Sequence, residues 1–94
     1  MLIQHKQAET GGVFFIPGEE DDFSAELIYM KKEPGTMIIE HTEVNDELKG
    51  QNVGYQLVYT AIEYARAHSL KVIPMCAFAR AIIEKKPEFK DVLS

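Results

Sequence analysis

The stretch from His41 to Leu57 constrains this chain more than any other. It opens as the end of an apolar strand, Thr36-Met37-Ile38-Ile39-Glu40-His41-Thr42, and crosses a polar turn. Around Gly50 to Gly54 it then enters a long amphipathic helix. The first-turn amides of a helix have no partner within it, and the helix dipole places roughly half a positive charge there. Glycines in the turn let the backbone approach an anion and adopt positive φ. A strand, a glycine turn and a helix start therefore make a site suited to a phosphate group.

The period changes on either side of this turn. Before it, short runs of alternating apolar residues end in Gly- and Pro-containing turns. Leu2 to Lys6 reads as a short edge strand and Thr10-Gly11-Gly12 as a turn. Val13 to Ile16 reads as a strand stopped by Pro17-Gly18, and Glu19 to Asp22 as an acidic, solvated loop. Ala25 to Met30 is a further strand with Ala25, Leu27 and Tyr29 on one face. Lys31 to Gly35 is a connecting turn whose Pro-Gly pair suits type II geometry. With Thr36 to Thr42, these segments predict an antiparallel meander.

After the turn, Val53, Leu57, Ala61 and Ala65 recur four apart, broadened by Val58, Ile62 and Tyr64. This spacing predicts a helix from Val53 to about Ala67 or His68. Lys71 to Met75 is then a strand, and the strand–helix–strand crossover makes it parallel to the strand before the turn. Cys76 to Lys85 predicts a second helix, with Phe78, Ile82 and Ala81 toward the core and Pro87 as its stop. The tail is expected to dock through Phe89 and Val92. The expected fold class is α+β, a mixed and mostly antiparallel sheet with one parallel strand pair and two helices. Pro74 lacks an amide for the ladder and fits a place where the parallel pair separates.

Composition narrows the function. Ninety-four residues suit one domain spanning 1–94. A net charge of -5 argues against a general nucleic-acid binder. No apolar run reaches the ~20 residues of a membrane span, and the first residues lack a signal-peptide core. A single cysteine fits a reducing, cytoplasmic setting. Three scattered histidines and that cysteine have no metal-ligand spacing. His5 and His68 read as surface or helix-end residues.

Lys49-Gly50-Gln51-Asn52-Val53-Gly54 resembles the pyrophosphate loop of the GNAT acetyltransferases, (Gln/Arg)-x-x-Gly-x-(Gly/Ala). Lys49 replaces the Gln or Arg, keeping a cation without the guanidinium fork. Asn52 replaces the first Gly, and Asn is the side-chain-bearing residue that best tolerates a left-handed backbone. The resemblance extends through His41, Thr42 and Val44, then Asp46, Glu47, Leu48, Gly50 and Gln51. It continues in Cys76, Phe78 and Ala79 and in the closing Pro87, Glu88, Phe89, Asp91 and Val92. These segments resemble a small subfamily of GNAT-like proteins of about this length.

The resemblance implies a minimal GNAT fold in which the parallel strands splay apart and an acyl-CoA lies in the opening. It implies acetyl-CoA as cofactor, an amine as acceptor, and acetyl transfer as the activity. The pyrophosphate would meet Lys49, Gly50, Gln51, Asn52, Val53, Gly54 and Tyr55, and Val44 would pair its backbone with the pantetheine arm. A binding or interaction module of the same fold without catalysis is the alternative. The acceptor and the oligomeric state are not implied.

The nucleophile or base candidates are Cys76, His41 and Glu43. Cys76 opens a helix whose dipole favours thiolate, next to the expected thioester; a small buried structural cysteine is the alternative. His41 could take a proton from an amine or thiol and would matter for Cys76 if the two meet across the strands. Glu43 is read as a base or, more simply, a solvated carboxylate. Tyr55 and Tyr59 also fit packing or interface positions on the helix.

Overall fold

The structure is a computed structural model that describes residues 2–18 and 23–93; the acidic loop read at Glu19 to Asp22 lies outside the described residues. Five strands, β1 (Gln4–Ala8), β2 (Gly11–Pro17), β3 (Phe23–Lys32), β4 (Thr36–Val44) and β5 (Lys71–Pro74), form one sheet in sequence order. The first three pairings are antiparallel and β4–β5 is parallel, as the crossover through the helix requires. Helix α1 (Val53–Ala67) makes that crossover, and α2 (Ala77–Glu84) follows β5. Two 3-10 turns, Asp46–Leu48 and Pro87–Val92, complete the described chain.

One face of α1 meets one face of the sheet. Val53, Leu57, Val58, Ala61, Ile62 and Ala65 are buried against Phe14, Leu27, Tyr29, Met37 and Ile39. The four-residue spacing read in the sequence is this buried stripe, and alternation in β3 buries Ala25, Leu27 and Tyr29 together. Truncating a side chain as enclosed as Leu57 costs about 2–5 kcal/mol. The tail closes the core with Phe89 and Val92. Arg66 of α1 holds the tail from outside, donating to Asp91 at 2.7 and 3.0 Å and to the Glu88 carbonyl.

The expected edge strand at Leu2 to Lys6 is found two residues later, and the expected turn at Thr10 to Gly12 is shorter. Gly11 and Gly12 belong to β2, opposite Met30 and Tyr29. A Cβ at Gly12 would come within 2.6 Å of the Tyr29 hydroxyl, so this strand position has no room for a side chain. Gly35 has the positive φ, 58°, that the Pro34-Gly35 turn asks of its glycine.

Two features shape the centre of the sheet. Pro74 is the last residue of β5 to face β4, opposite Ile39; the Met75 and Cys76 amides both donate to the Ile39 carbonyl, at 2.9 and 3.2 Å. Beyond that point β4 runs on to Val44 with β3 alone beside it. The second feature is an irregularity in the β3–β4 ladder, where Tyr29 faces Ile39 but Ile28 faces His41. Glu40 is the extra residue of a β-bulge, which reverses which side chains face which side. Before it Met37 and Ile39 are buried; after it Thr42 and Val44 take the inner face, while His41 and Glu43 are exposed.

Candidate functional site

The separation of β4 from β5 leaves a stretch of backbone unpaired. Asn45 donates to the Ser24 carbonyl at 2.8 Å, which marks Asn45 and Ser24 as a hydrogen-bonded antiparallel pair. Alternation along the ladder then directs Glu43 and His41 toward β3 and turns the amides and carbonyls of Thr42 and Val44 toward the opening. The Thr42 amide faces the Cys76 sulfur there, and the Val44 groups need a partner in the plane of the sheet, which an extended ligand can provide.

At the far end of this edge the chain turns into α1. Asn45 leads into the Asp46–Leu48 turn, whose carbonyls tie back the Lys49 and Gln51 amides at 3.1 and 3.3 Å. Gly50 has φ 86° and Asn52 has φ 64°, ψ 24°, so both take the left-handed conformation. Asn52 thus holds the geometry expected of it as a substitute for glycine. The first bond into the helix runs from the Gln56 amide to the Asn52 carbonyl at 3.1 Å. The amides of Val53, Gly54 and Tyr55 precede it and have no helical acceptor.

These elements line a groove of about 1110 Å³, walled by Thr42 to Asp46, Lys49 and Gly50, the start of α1, and Phe78 and Ile82 of α2. Val44, Lys49, Gly50, Asn52, Val53, Gly54 and Tyr55 are brought together here. Gln51 is not: its amide is bonded to Leu48, and its side chain donates to the Glu47 carbonyl at 3.3 Å. Lys49 is paired with Asp46 at 2.8 Å, and this hydrogen bond raises the lysine pKa while lowering that of the carboxyl.

The α2 face is rotated from the one expected. Ala79 and Ile83 are buried, Ile82 is half-buried, and Ala81 and Phe78 are exposed, Phe78 to 46%. Phe78 turns outward because its ring lies over Gly54 at the groove wall. A sequence signal for this existed in the pairing of a helix-start glycine with a surplus aromatic, but no periodicity reveals it.

Cys76 caps α2 and is half-buried where β5 leaves β4 beside Ile39, and it is not among the residues that line the groove. Burial alone would raise its thiol pKa. Polar groups that face the sulfur, the Ala79 amide first and then the Thr42 hydroxyl and the Phe78 and Thr42 amides, favour the thiolate, outweigh that and lower it below the ordinary thiol value, though none closes a hydrogen bond of ordinary geometry. The Thr42 hydroxyl is itself buried and makes no hydrogen bond, and it acts on Cys76 only as a dipole facing the sulfur.

His41 does not join Cys76. The bulge turns it to the opposite face, where Nε2 stands 3.5 Å from the Glu43 carboxylate and both side chains are more than half exposed. Glu43 reaches the groove wall, so the His41–Glu43 pair borders the groove from its solvent side. The residue the expected pairing missed is Thr42; it stood in the His-Thr-x-Val segment, but only the bulge shows that it faces inward.

His5 is likewise not a surface residue without partners. Its ring stacks on Phe14 at 4.0 Å, and its Nε2 is 2.6 Å from the Tyr29 hydroxyl. His68 ends α1 as read, stacked on Tyr64 at 4.1 Å.

Against this geometry stand the likenesses to known proteins. The family model for the GCN5-related N-acetyltransferases matches residues 13–92. A GCN5-like protein of Staphylococcus aureus, with a solution structure, is 37% identical over 97% of this chain and 87% of its own, with a TM-score of 0.77. The ribosomal-protein-S18-alanine N-acetyltransferase of Escherichia coli has a TM-score of 0.67 at 17% identity, over 84% of this chain and 53% of its own. An IAA acetyltransferase of Bacillus cereus has a TM-score of 0.62 at 18% identity, over 82% of this chain and 54% of its own. The present chain thus spans about half the length of the last two proteins, and its likeness to them is one of fold. No curated protein matches it in sequence.

Proposed function

The chain belongs to the GCN5-related N-acetyltransferase family, and from that premise we propose that it binds acetyl-CoA in the β4–α1 groove and transfers the acetyl group to an amine. One observation carries this reading. The open strand edge at Val44 lines the same groove as the free amides of Val53, Gly54 and Tyr55. An extended arm ending in a pyrophosphate needs that order of groups: a strand edge, then a helix N-terminus. Gly50 and Asn52 supply the left-handed turns that aim the backbone at the phosphates. Domain 1–94 would act as one unit, and a chain with a single cysteine fits the cytoplasm.

The ligand would bring the thioester, and the protein's groups act around it. The strand-edge amides can donate to the carbonyl oxygen as negative charge develops. In direct transfer the amine nitrogen bonds to the carbonyl carbon, the C–S bond breaks, and the amine's proton leaves to solvent or to Glu43 at the groove wall. In a relay, the Cys76 thiolate first takes the acetyl group and releases coenzyme A, and the amine then takes it from sulfur. The lowered thiol pKa and the Thr42 contact support a reactive Cys76.

A second reading keeps binding without transfer. It draws on the position of His41, which is turned from Cys76 and so leaves the thiol without an imidazole base. Calorimetric titration with acetyl-CoA tests the shared claim: the folded protein should bind it with one site per chain. Product analysis with model amines then separates transfer from binding alone. Absence of binding would overturn both readings.

A further inference from the structure

Both helices bury their apolar faces in one core with Leu27, Tyr29 and Met37. The strand residues that point away from that core make a second apolar surface. Val13 faces Ile28 across β2–β3, Met30 faces Ile38 across β3–β4, and Ile38 faces Ile73 across β4–β5. None of these five packs into the core; four are half-buried, and Met30 is 41% exposed. The band is hollowed beside Ile28 and Met30 by a depression of about 530 Å³. Every residue lining it belongs to β1 to β4 or the β1–β2 turn, so neither helix reaches it. An apolar sheet face left open in this way is a surface for a second layer.

The order of groups along β3 decides what that layer is. Its positions on this face are Glu26, Ile28, Met30 and Lys32, which read acid, apolar, apolar, base about a centre at Tyr29. A two-fold axis running across the strands at Tyr29 lays Met30 of each copy over Ile28 of the other. The same rotation lays Lys32 over Glu26. The acidic end needs such a cation. Glu26 stands opposite Glu43 in the β3–β4 register, and like charges placed so repel. Among the described residues Glu26 and Lys32 make no ion pair, and Glu43 has His41 alone, at 3.5 Å. Area agrees with charge. Five strands about 4.8 Å apart and ten residues of β3 at about 3.3 Å each give a face of ~800 Å². A stable interface takes about that area from each partner.

We propose that this open face is the interface between two copies of the chain, packed sheet against sheet about a two-fold axis at Tyr29. Met30, the most exposed of the five apolar residues, fills the other copy's depression, which an unbranched and adaptable side chain suits. Glu26 and Lys32 close the contact at its two ends and set the register. None of Glu26, Ile28, Met30 and Lys32 lines the β4–α1 groove, so the inference is independent of what that groove binds.

Sedimentation equilibrium of the full chain tests this. The native protein should be a dimer that dissociates on dilution. Glu26→Lys and Lys32→Glu each bring like charges together at both ends of the interface, and each should weaken the dimer at least about tenfold. An equimolar mixture of the two variants should recover dimer, because each copy then meets the opposite charge on the other. Met30→Asp should be monomeric while circular dichroism shows the native fold. A native protein that stays monomeric at the highest concentration reached would overturn the proposal and leave the face to a different partner. Folded single-charge variants that dimerise as tightly as the native chain, or a mixture that recovers nothing, would overturn it as well.

Discussion

The Phe78 ring lies over Gly54, so that any Cβ at position 54 would collide with it. Gly54 is therefore small for two reasons: an aromatic on α2 covers it, and the helix start leaves its amide free beside the groove. The two can be separated. Gly54→Ala should lower the melting temperature, because the 46%-exposed Phe78 must swing away. Adding Phe78→Ala should restore the melting temperature. It should leave acetyl-CoA binding weakened at least tenfold if the backbone must approach the phosphates. Recovery of affinity together with stability would make the glycine a packing requirement alone.

How far the sequence could be read follows from range. The α1 stripe, the parallel β5 and the end of pairing at Pro74 depend on neighbours in the chain and were legible. The bulge at Glu40 was not, since it depends on how Ile28 and Tyr29 of another strand register against His41 and Ile39. That one residue decides that Thr42, and not His41, faces Cys76. The turned face of α2 and the seat of His5 on Phe14 and Tyr29 were hidden for the same reason, as each needs a partner from a distant segment. At the groove, the turn chemistry of Gly50 and Asn52 was legible because φ preferences are local. The use of the Gln51 amide by Leu48 was not.

Asn52 holds a left-handed conformation with no hydrogen bond from its side chain to cap α1. Its contribution should then be conformational. Asn52→Gly should keep stability and acetyl-CoA affinity close to native. Asn52→Val should cost about 1–2 kcal/mol, the penalty for a branched side chain in that region. Urea unfolding of the three proteins measures this directly, with a shift in midpoint at constant slope expected only for valine.

The environment of Cys76 predicts a reactive thiol. Thiolate is the form that reacts, so alkylation by iodoacetamide should rise with pH at a midpoint below that of an unperturbed cysteine. Thr42→Val removes one of the hydroxyl and amide contacts and should move the midpoint upward. His41→Ala should leave it unchanged, because His41 pairs with Glu43 on the other face. After incubation with acetyl-CoA, a relay would add one hydroxylamine-sensitive acetyl group by intact mass, lost in Cys76→Ala. Acetyl groups found only on lysines would exclude the relay and leave direct transfer.

His5 should make stability depend on pH in a defined direction. Its pKa is lowered from 6.5 in the folded protein, first by burial and then by the charges of Lys31 and His68. Lys31 lies 5.2 Å over the Tyr64 ring, Tyr64 meets His5 edge-on at 4.9 Å, and His68 stacks on Tyr64, so Lys31 and His68 belong to the same aromatic group as His5. Between the folded pKa and about 6.5 the unfolded chain binds more protons at this position than the folded one. Stability contributed by neutral His5 is then complete above about pH 6.5 and declines as pH falls toward the folded value. Below that value both states are protonated and the decline stops. His5→Phe keeps the stack on Phe14, removes the bond to the Tyr29 hydroxyl, and should flatten stability across this window. Urea unfolding at several pH values is the measurement. A native slope of opposite sign, or one unchanged in His5→Phe, would assign the dependence to other groups.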